Sequence, residues 1–329
     1  MGGDGPAEYT RPTFEPLVTT PPSVLVVGAA SRDVTPDDPR GWRLGGAVTY
    51  GALTLGRLGF RVKALVGADT EAASARELDL LRAAGVVIAL ARLESGPVFD
   101  NVLHHFLEPA DRIPLAALPS HWTSGLDAVL IVPVADEVDE AWATLASPIL
   151  GLGWQGLLRE LVPGQEIARR PPAANRLVQA ASLIGVSRED LPPRMAPADL
   201  MQLLGPGATL AVTDGARGGT LVRNAEEGGA PLARPYPAIP SDGTVDPTGA
   251  GDVFLAAMLG TMVKPALLDG LDDPTTLAAA AASLTIEAPG LFGVPDLADV
   301  RRRAARAPSR ASRTPSAASS RGNGRPSHA

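Results

Sequence analysis

A chain of 329 residues that is 45% hydrophobic can form one large α/β domain or two ordinary ones, and with only 4% aromatics its core must be filled by aliphatic side chains. The formal net charge is −7; residues 301–329 hold eight arginines and no acid, so the rest carries about −15 and lacks the basic face that non-specific nucleic-acid binding needs. The absence of cysteine excludes disulfides and thiolate metal sites.

Residues 1–22 are rich in Pro, Gly and Thr without periodicity and read as a loose arm. They have acids and prolines where a secretory signal has a basic start and an apolar stretch, so a cytoplasmic protein is expected. An apolar run at 24–28, ending in Gly28, suits a buried parallel strand. Residues 46–58 have helical spacing at Val48, Ala52, Leu55 and Leu58. A strand at 62–67, a helix at 71–84, and strands at 86–91, 98–107 and 128–132 follow. Further strands are expected at 149–153, 181–186, 209–213 and 219–222, with helices at 249–263 and 275–287. Residues 307–329 read as a disordered basic tail.

Such βα alternation predicts a three-layer α/β/α sandwich around a mostly parallel sheet. Segments 34–44 and 95–107 interrupt it and are expected to form a small β lid over a single domain spanning 23–306. No run of about 20 apolar residues is present, so no membrane span is expected. His104, His105, His121 and His328 have no metal-ligand spacing. Lys63 and Lys264 are the only lysines and no GxxxxGK[ST] loop exists, so any phosphate must be held by arginine, backbone N–H groups or a metal.

The string Asp246-Pro247-Thr248-Gly249-Ala250-Gly251-Asp252 runs directly into the apolar helix from Val253. Glycines at 249 and 251 strip side chains from a helix start, where backbone N–H groups lack internal partners and carry partial positive charge. An anion can sit there, with the Asp252 carboxylate beside it to take a proton from an attacking hydroxyl. That is the division of labour of phosphoryl transfer. The plainer alternative is a glycine turn with an acid complementing the helix dipole.

This string resembles the C-terminal signature of the PfkB-type, ribokinase-like carbohydrate kinases. Gly45-Gly46-Ala47-Val48-Thr49-Tyr50 is similar to that family's Gly-Gly motif. Gly28-Ala29-Ala30-Ser31-Arg32-Asp33 resembles its first strand, and 212–219 its ATP-lining strand and turn. The matches run from about 24 to 304 in family order. The resemblance implies ATP as donor with Mg²⁺, and a sugar or polyol as acceptor. It makes Asp252 the base and Gly249, Ala250 and Gly251 the anion hole. Asp33, Gly45, Gly46 and Tyr50 would meet the acceptor, and Thr213, Gly215, Gly218 and Ser187 the nucleotide. Asp246 and Thr248 match positions near a monovalent cation. Tyr50 stands where the family has Asn, and with the Val245–Thr248 variant this looks more like the myo-inositol-kinase branch. The family's Asn-x-x-Glu element, which organises Mg²⁺, is here Ser187-Arg188-Glu189-Asp190; the shorter Asp190 would act on the metal through water.

Three points stay open in the sequence. Asn101 is either an acceptor contact from the lid or a solvated edge position. Arg159 is either a phosphate ligand or a surface helix arginine. A nucleoside kinase using Tyr50 or Phe99 as a base slot, or a catalytically silent relative, fits many of the same residues, and either a monomer or a homodimer is compatible.

Overall fold

The computed structural model describes residues 20–145, 147–224 and 229–307. The expected arm, apart from residues 20–22, and the tail beyond 307 lie outside the described residues. The strands in chain order are β1 (Ser23–Ala29), β2 (Arg32–Val34), β3 (Trp42–Leu44), β4 (Arg61–Ala68), β5 (Val87–Arg92), β6 (Val98–Asp100), β7 (His105–Glu108) and β8 (Ala128–Ile131). They continue with β9 (Leu150–Gly153), β10 (Arg159–Glu160), β11 (Gln165–Glu166), β12 (Ala168–Arg169), β13 (Leu183–Ser187), β14 (Thr209–Thr213), β15 (Gly219–Arg223) and β16 (Leu232–Tyr236). The α-helices are α1 (Ala47–Arg57), α2 (Thr70–Ala73), α3 (Leu78–Ala83), α4 (Arg176–Ala180), α5 (Ala250–Val263), α6 (Pro274–Thr285) and α7 (Leu297–Ala305).

The main sheet runs β16-β15-β14-β13-β9-β8-β1-β4-β5. It is parallel from β14 to β5, with β15 and β16 added antiparallel at one edge. The apolar run of β1 is buried along its whole length because neighbours flank it on both sides and layers cover both faces. On one face Val26 and Leu130 meet Gly51 of α1, and Gly151 meets Leu259 of α5. On the other, Gly67 meets Ile113, whose carbonyl accepts the indole N–H of buried Trp142, and Lys63 lies near the ring of Trp122. The sandwich is therefore three-layered, as the alternation predicts. Among the described residues no helix is long and apolar enough to cross a membrane.

The lid is a separate sheet in the order β11-β7-β6-β2-β3. It corrects the sequence expectation of one strand at 98–107. Asp100 accepts the N–H groups of Val102 and Leu103, and His104 takes a left-handed φ of 55°, so the segment folds into the β6–β7 hairpin. The helix expected at 71–84 is likewise broken into α2 and α3. Asp69 caps α2 by accepting the Ala72 N–H, and Glu77 is drawn into a pair with Arg40 between the two.

β1 pairs with β4 on one side and β8 on the other, so the chain reverses its direction of sheet growth there. The crevice outside the carboxyl end of β1 is where such sheets place ligands, and the lid rises from that point.

Candidate active site

Asp33 stands at the base of the lid, four residues beyond β1. The Ser31 hydroxyl donates to its Oδ1 at 2.7 Å. Burial pushes the Asp33 carboxyl up to about 6, against hydrogen bonds from Ser31 and Asn101, and the charge of Asp246 adds to the rise. Asn101 follows β6 on the lid and is exposed. Gly45 and Ser31 exchange backbone hydrogen bonds at 2.8 and 3.2 Å. A Cβ on Gly45 would stand 2.1 Å from Asp33 Oδ2, so the Gly-Gly loop can lie on that carboxylate only without a side chain. Gly45→Ala is expected to displace Asp33 and to destabilise the fold by about 1–3 kcal/mol, as urea denaturation would show.

Opposite Asp33, α5 begins at Gly249. That residue has φ 81°, and a Cβ there would lie 2.2 Å from the Tyr50 ring, so glycine is required on both counts. A Cβ on Gly251 would meet nothing within 4 Å, so the helix tip faces open space. From Val253 to Thr261 the helix is buried all round, which fixes the tip rigidly. Asp252 lies in the first turn. Burial pushes its carboxyl up to about 7, the positive charge of Arg159 opposes this, and the negative charges of Asp190 and Asp33 add to it. The phenol of Tyr50 is likewise raised well above its ordinary value by burial and then by Asp33, Asp246 and Asp252. It therefore stays protonated and can donate a hydrogen bond, replacing part of what an amide at that position would offer.

The positions expected to meet the nucleotide sit at the carboxyl ends of neighbouring parallel strands. Ser187 of β13 and Thr213 of β14 are register partners. Ser187 Oγ accepts the Glu189 N–H at 3.2 Å, and Thr213 Oγ1 donates to the Val186 carbonyl at 3.4 Å. Gly215 and Gly218 form the turn into β15, braced by the Asp214–Arg217 pair. Asp190 is buried, with Oδ1 bound by Arg159 Nε at 2.9 Å and Oδ2 without a partner among the described residues. Asp246 ties loops together: Oδ1 accepts the Thr248 N–H at 3.0 Å, Oδ2 the Gly290 N–H at 2.9 Å, and Arg43 lies 3.4 Å away.

Sequence reasoning passed over Ser31, Arg43 and Glu137. Ser31 could have been found from its spacing of two before Asp33; Arg43 and Glu137 act through tertiary contacts that no local pattern reveals. Arg159 lies on the short strand β10, not on a helix.

Residues 177–295 match the pfkB family carbohydrate kinase. The chain is PfkB-like. No curated protein matches it. Among solved structures, a pyrophosphate-dependent kinase in the ribokinase family, complexed with a pyrophosphate analog and myo-inositol, is 18% identical with a TM-score of 0.66; the alignment covers 85% of this chain and 99% of that one. Arabidopsis thaliana ribokinase, complexed with ribose and ATP, is 17% identical with a TM-score of 0.57, covering 87% and 99%. A nucleoside kinase of Methanocaldococcus jannaschii is 16% identical with a TM-score of 0.57, covering 86% and 98%. These likenesses establish a ribokinase-like fold for this PfkB-like chain.

Proposed function

We propose that the chain is a sugar or polyol kinase with residues 23–306 as its kinase domain. The acceptor hydroxyl lies between Asp33, the Gly45-Gly46 loop and Asp252. As its oxygen bonds to the γ-phosphorus, the bond from that phosphorus to the bridging oxygen of ADP breaks and the hydroxyl proton passes to Asp252. The N–H groups of Gly249 and Gly251, without partners among the described residues, and that of Ala250, held only by the Pro247 carbonyl at 3.4 Å, stabilise charge on the phosphoryl oxygens. The observation that carries this reading is the open, glycine-lined tip of α5 with the Asp252 carboxylate in its first turn, where burial raises its proton affinity and Asp33 acts on it electrostatically.

Mg²⁺ suits the donor side, because the partnerless, buried Oδ2 of Asp190 is an oxygen able to accept from a metal-bound water. Such a cation would neutralise donor phosphate charge. A monovalent cation does not suit Asp246, whose oxygens already accept two N–H groups and lie beside the Arg43 guanidinium; none is assigned there.

The test is product release with ATP or pyrophosphate as donor and myo-inositol, ribose, fructose 6-phosphate or adenosine as acceptor. Pyrophosphate is included because a pyrophosphate-dependent kinase shares the fold. Turnover of a sugar or polyol is expected. Turnover of adenosine alone would make the protein a nucleoside kinase, and none on any pair would leave a silent ligand-binding relative.

A pH profile gives a second check. A base must be ionised to act, and Asp252 is held at about 7. The acceptor kcat/KM is therefore expected to climb tenfold per pH unit below about 7 and to level off above it. A flat profile from pH 5 to 8 with the chemical step rate-limiting would remove Asp252 from the role.

A further inference from the structure

We propose that Arg159 is the phosphate-binding side chain of this site: its guanidinium grips the phosphoryl group in transit, and Asp190 holds it in position. The proposal rests on the kinase reading and names a residue that reading does not use.

The backbone at Arg159 is fixed. Leu158 beside it is buried, its carbonyl accepts the Arg170 N–H at 2.7 Å, and β10 pairs with β12 through Arg159 and Arg169. The side chain is anchored at one atom only, Nε, by Asp190 Oδ1 at 2.9 Å. Its two terminal nitrogens have no partner among the described residues, so the planar fork suited to two phosphate oxygens is open. Asp190 supplies a second sign of a ligand, because its free oxygen can accept from water carried by a cation that accompanies the phosphate. It is 5% exposed, and Oδ2 is buried without a hydrogen bond. Buried polar atoms left unsatisfied by protein mark places that a ligand, ion or water completes.

The position is right for a phosphoryl group bound at α5. A Cβ on Gly185 of β13 would stand 2.9 Å from Leu255, so the first turns of α5 lie on β13 with their tip at its carboxyl end. Asp190 follows that strand end by three residues, and both Asp190 and Arg159 act electrostatically on Asp252. Neither lysine competes. Lys63 lies near Trp122 on the opposite face of the sheet, and Lys264 is at the far end of α5, about 20 Å from its tip at 1.5 Å per residue. Arg43 is engaged with Asp37 and Asp246, and Arg188 with the carbonyls of Pro192 and Met195. Arg159 is therefore the cation that acts on Asp252 and still has donors free for a phosphate.

The experiment compares wild type, Arg159→Ala and Arg159→Lys with the donor and the uncharged acceptor that wild type turns over, so that any phosphate is the donor's. Thermal melts check that each variant is folded. Arg159→Ala is expected to lose at least roughly 10²-fold in kcat with little change in acceptor KM. Arg159→Lys should recover part of that loss, since it restores charge without the fork, and added guanidinium ion should partly rescue Arg159→Ala. Wild-type turnover with Arg159→Ala equally active would overturn the inference and leave the kinase reading standing; so would a loss that neither lysine nor guanidinium restores. If wild type turns over no acceptor, the kinase reading fails, and calorimetric titration with pyrophosphate decides the phosphate site alone. Binding weakened tenfold or more in Arg159→Ala supports it, and equal or absent binding in both proteins sinks it.

Discussion

Asp252→Asn is expected to lower kcat by roughly 10²–10⁴-fold while both KM values hold, because a positioned general base typically contributes that much. The amide has the size of the carboxylate and leaves the helix tip, the Gly249–Tyr50 packing and Asp33 in place. What it cannot do is accept the hydroxyl proton. Folding provides an internal control. The Asp252 carboxyl, ordinarily near 3.8, is held at about 7 in the fold, so the folded state binds that proton more tightly than the unfolded chain. The associated stability is fully present below the unfolded value and is lost as pH rises through about 7. At pH 8 the wild type therefore carries an unfavourable, partly buried charge, under the influence of Asp190 and Asp33, that the amide removes, and the melting temperature of Asp252→Asn should equal or exceed that of wild type. A large fall in kcat with a maintained Tm isolates chemistry from folding. An unchanged kcat would exclude Asp252 as the base.

Much of this site was legible because its parts are local. A buried strand ending in Gly28, a glycine pair opening a helix, and glycines with an acid at a second helix start are each set by backbone rules within a few residues. Those rules place Gly249, Gly251 and Asp252 at a helix start, Asp33 and Gly45 stand out through the resemblance to the PfkB-type kinases, and a parallel sheet gathers such ends on one edge. The failures have a common cause. The apolar alternation of 98–107 reads as one strand, but Asp100 spends its carboxylate on the turn N–H groups of Val102 and Leu103, and a hairpin results. The strand at Leu232–Tyr236 is mostly exposed and carries a proline, so it has no strand signature; its place is set by pairing with β15. Arg159 stays open between a phosphate ligand and a helix arginine because nothing near it in sequence announces Asp190, thirty-one residues away. Nor does the string around Asp246 announce its partners Arg43 and Gly290, which are brought in by the lid and by the segment after α6.

Glu137 is the residue whose loss should cost the fold most. Its side chain has no exposed surface. Oε1 accepts the Ala29 N–H at 2.9 Å, Oε2 accepts the Ala135 N–H at 2.8 Å, and both oxygens share the Val134 N–H at 3.1 and 3.0 Å. One carboxylate thus satisfies the last amide of β1 and two amides of the chain leaving β8, where the β1–β8 ladder has ended. Glu137→Ala strands three N–H groups, two of them buried, and opens a cavity among them. Each unsatisfied group costs about 1–3 kcal/mol, and with some relief from entering water the expected loss is roughly 3–5 kcal/mol. Against a total stability of about 5–15 kcal/mol this is enough to lower the urea midpoint sharply or to prevent folding at 37 °C. Glu137→Gln keeps the shape but turns an NH₂ toward one of the same N–H donors, so it should fall between wild type and Ala. Because Ala29 leads straight into Ser31 and Asp33, whatever Glu137→Gln folds should also bind acceptor more weakly at unchanged donor KM. Identical urea midpoints for wild type and Glu137→Ala would show that water can replace the carboxylate, and the end of β1 would then need another explanation for its rigidity.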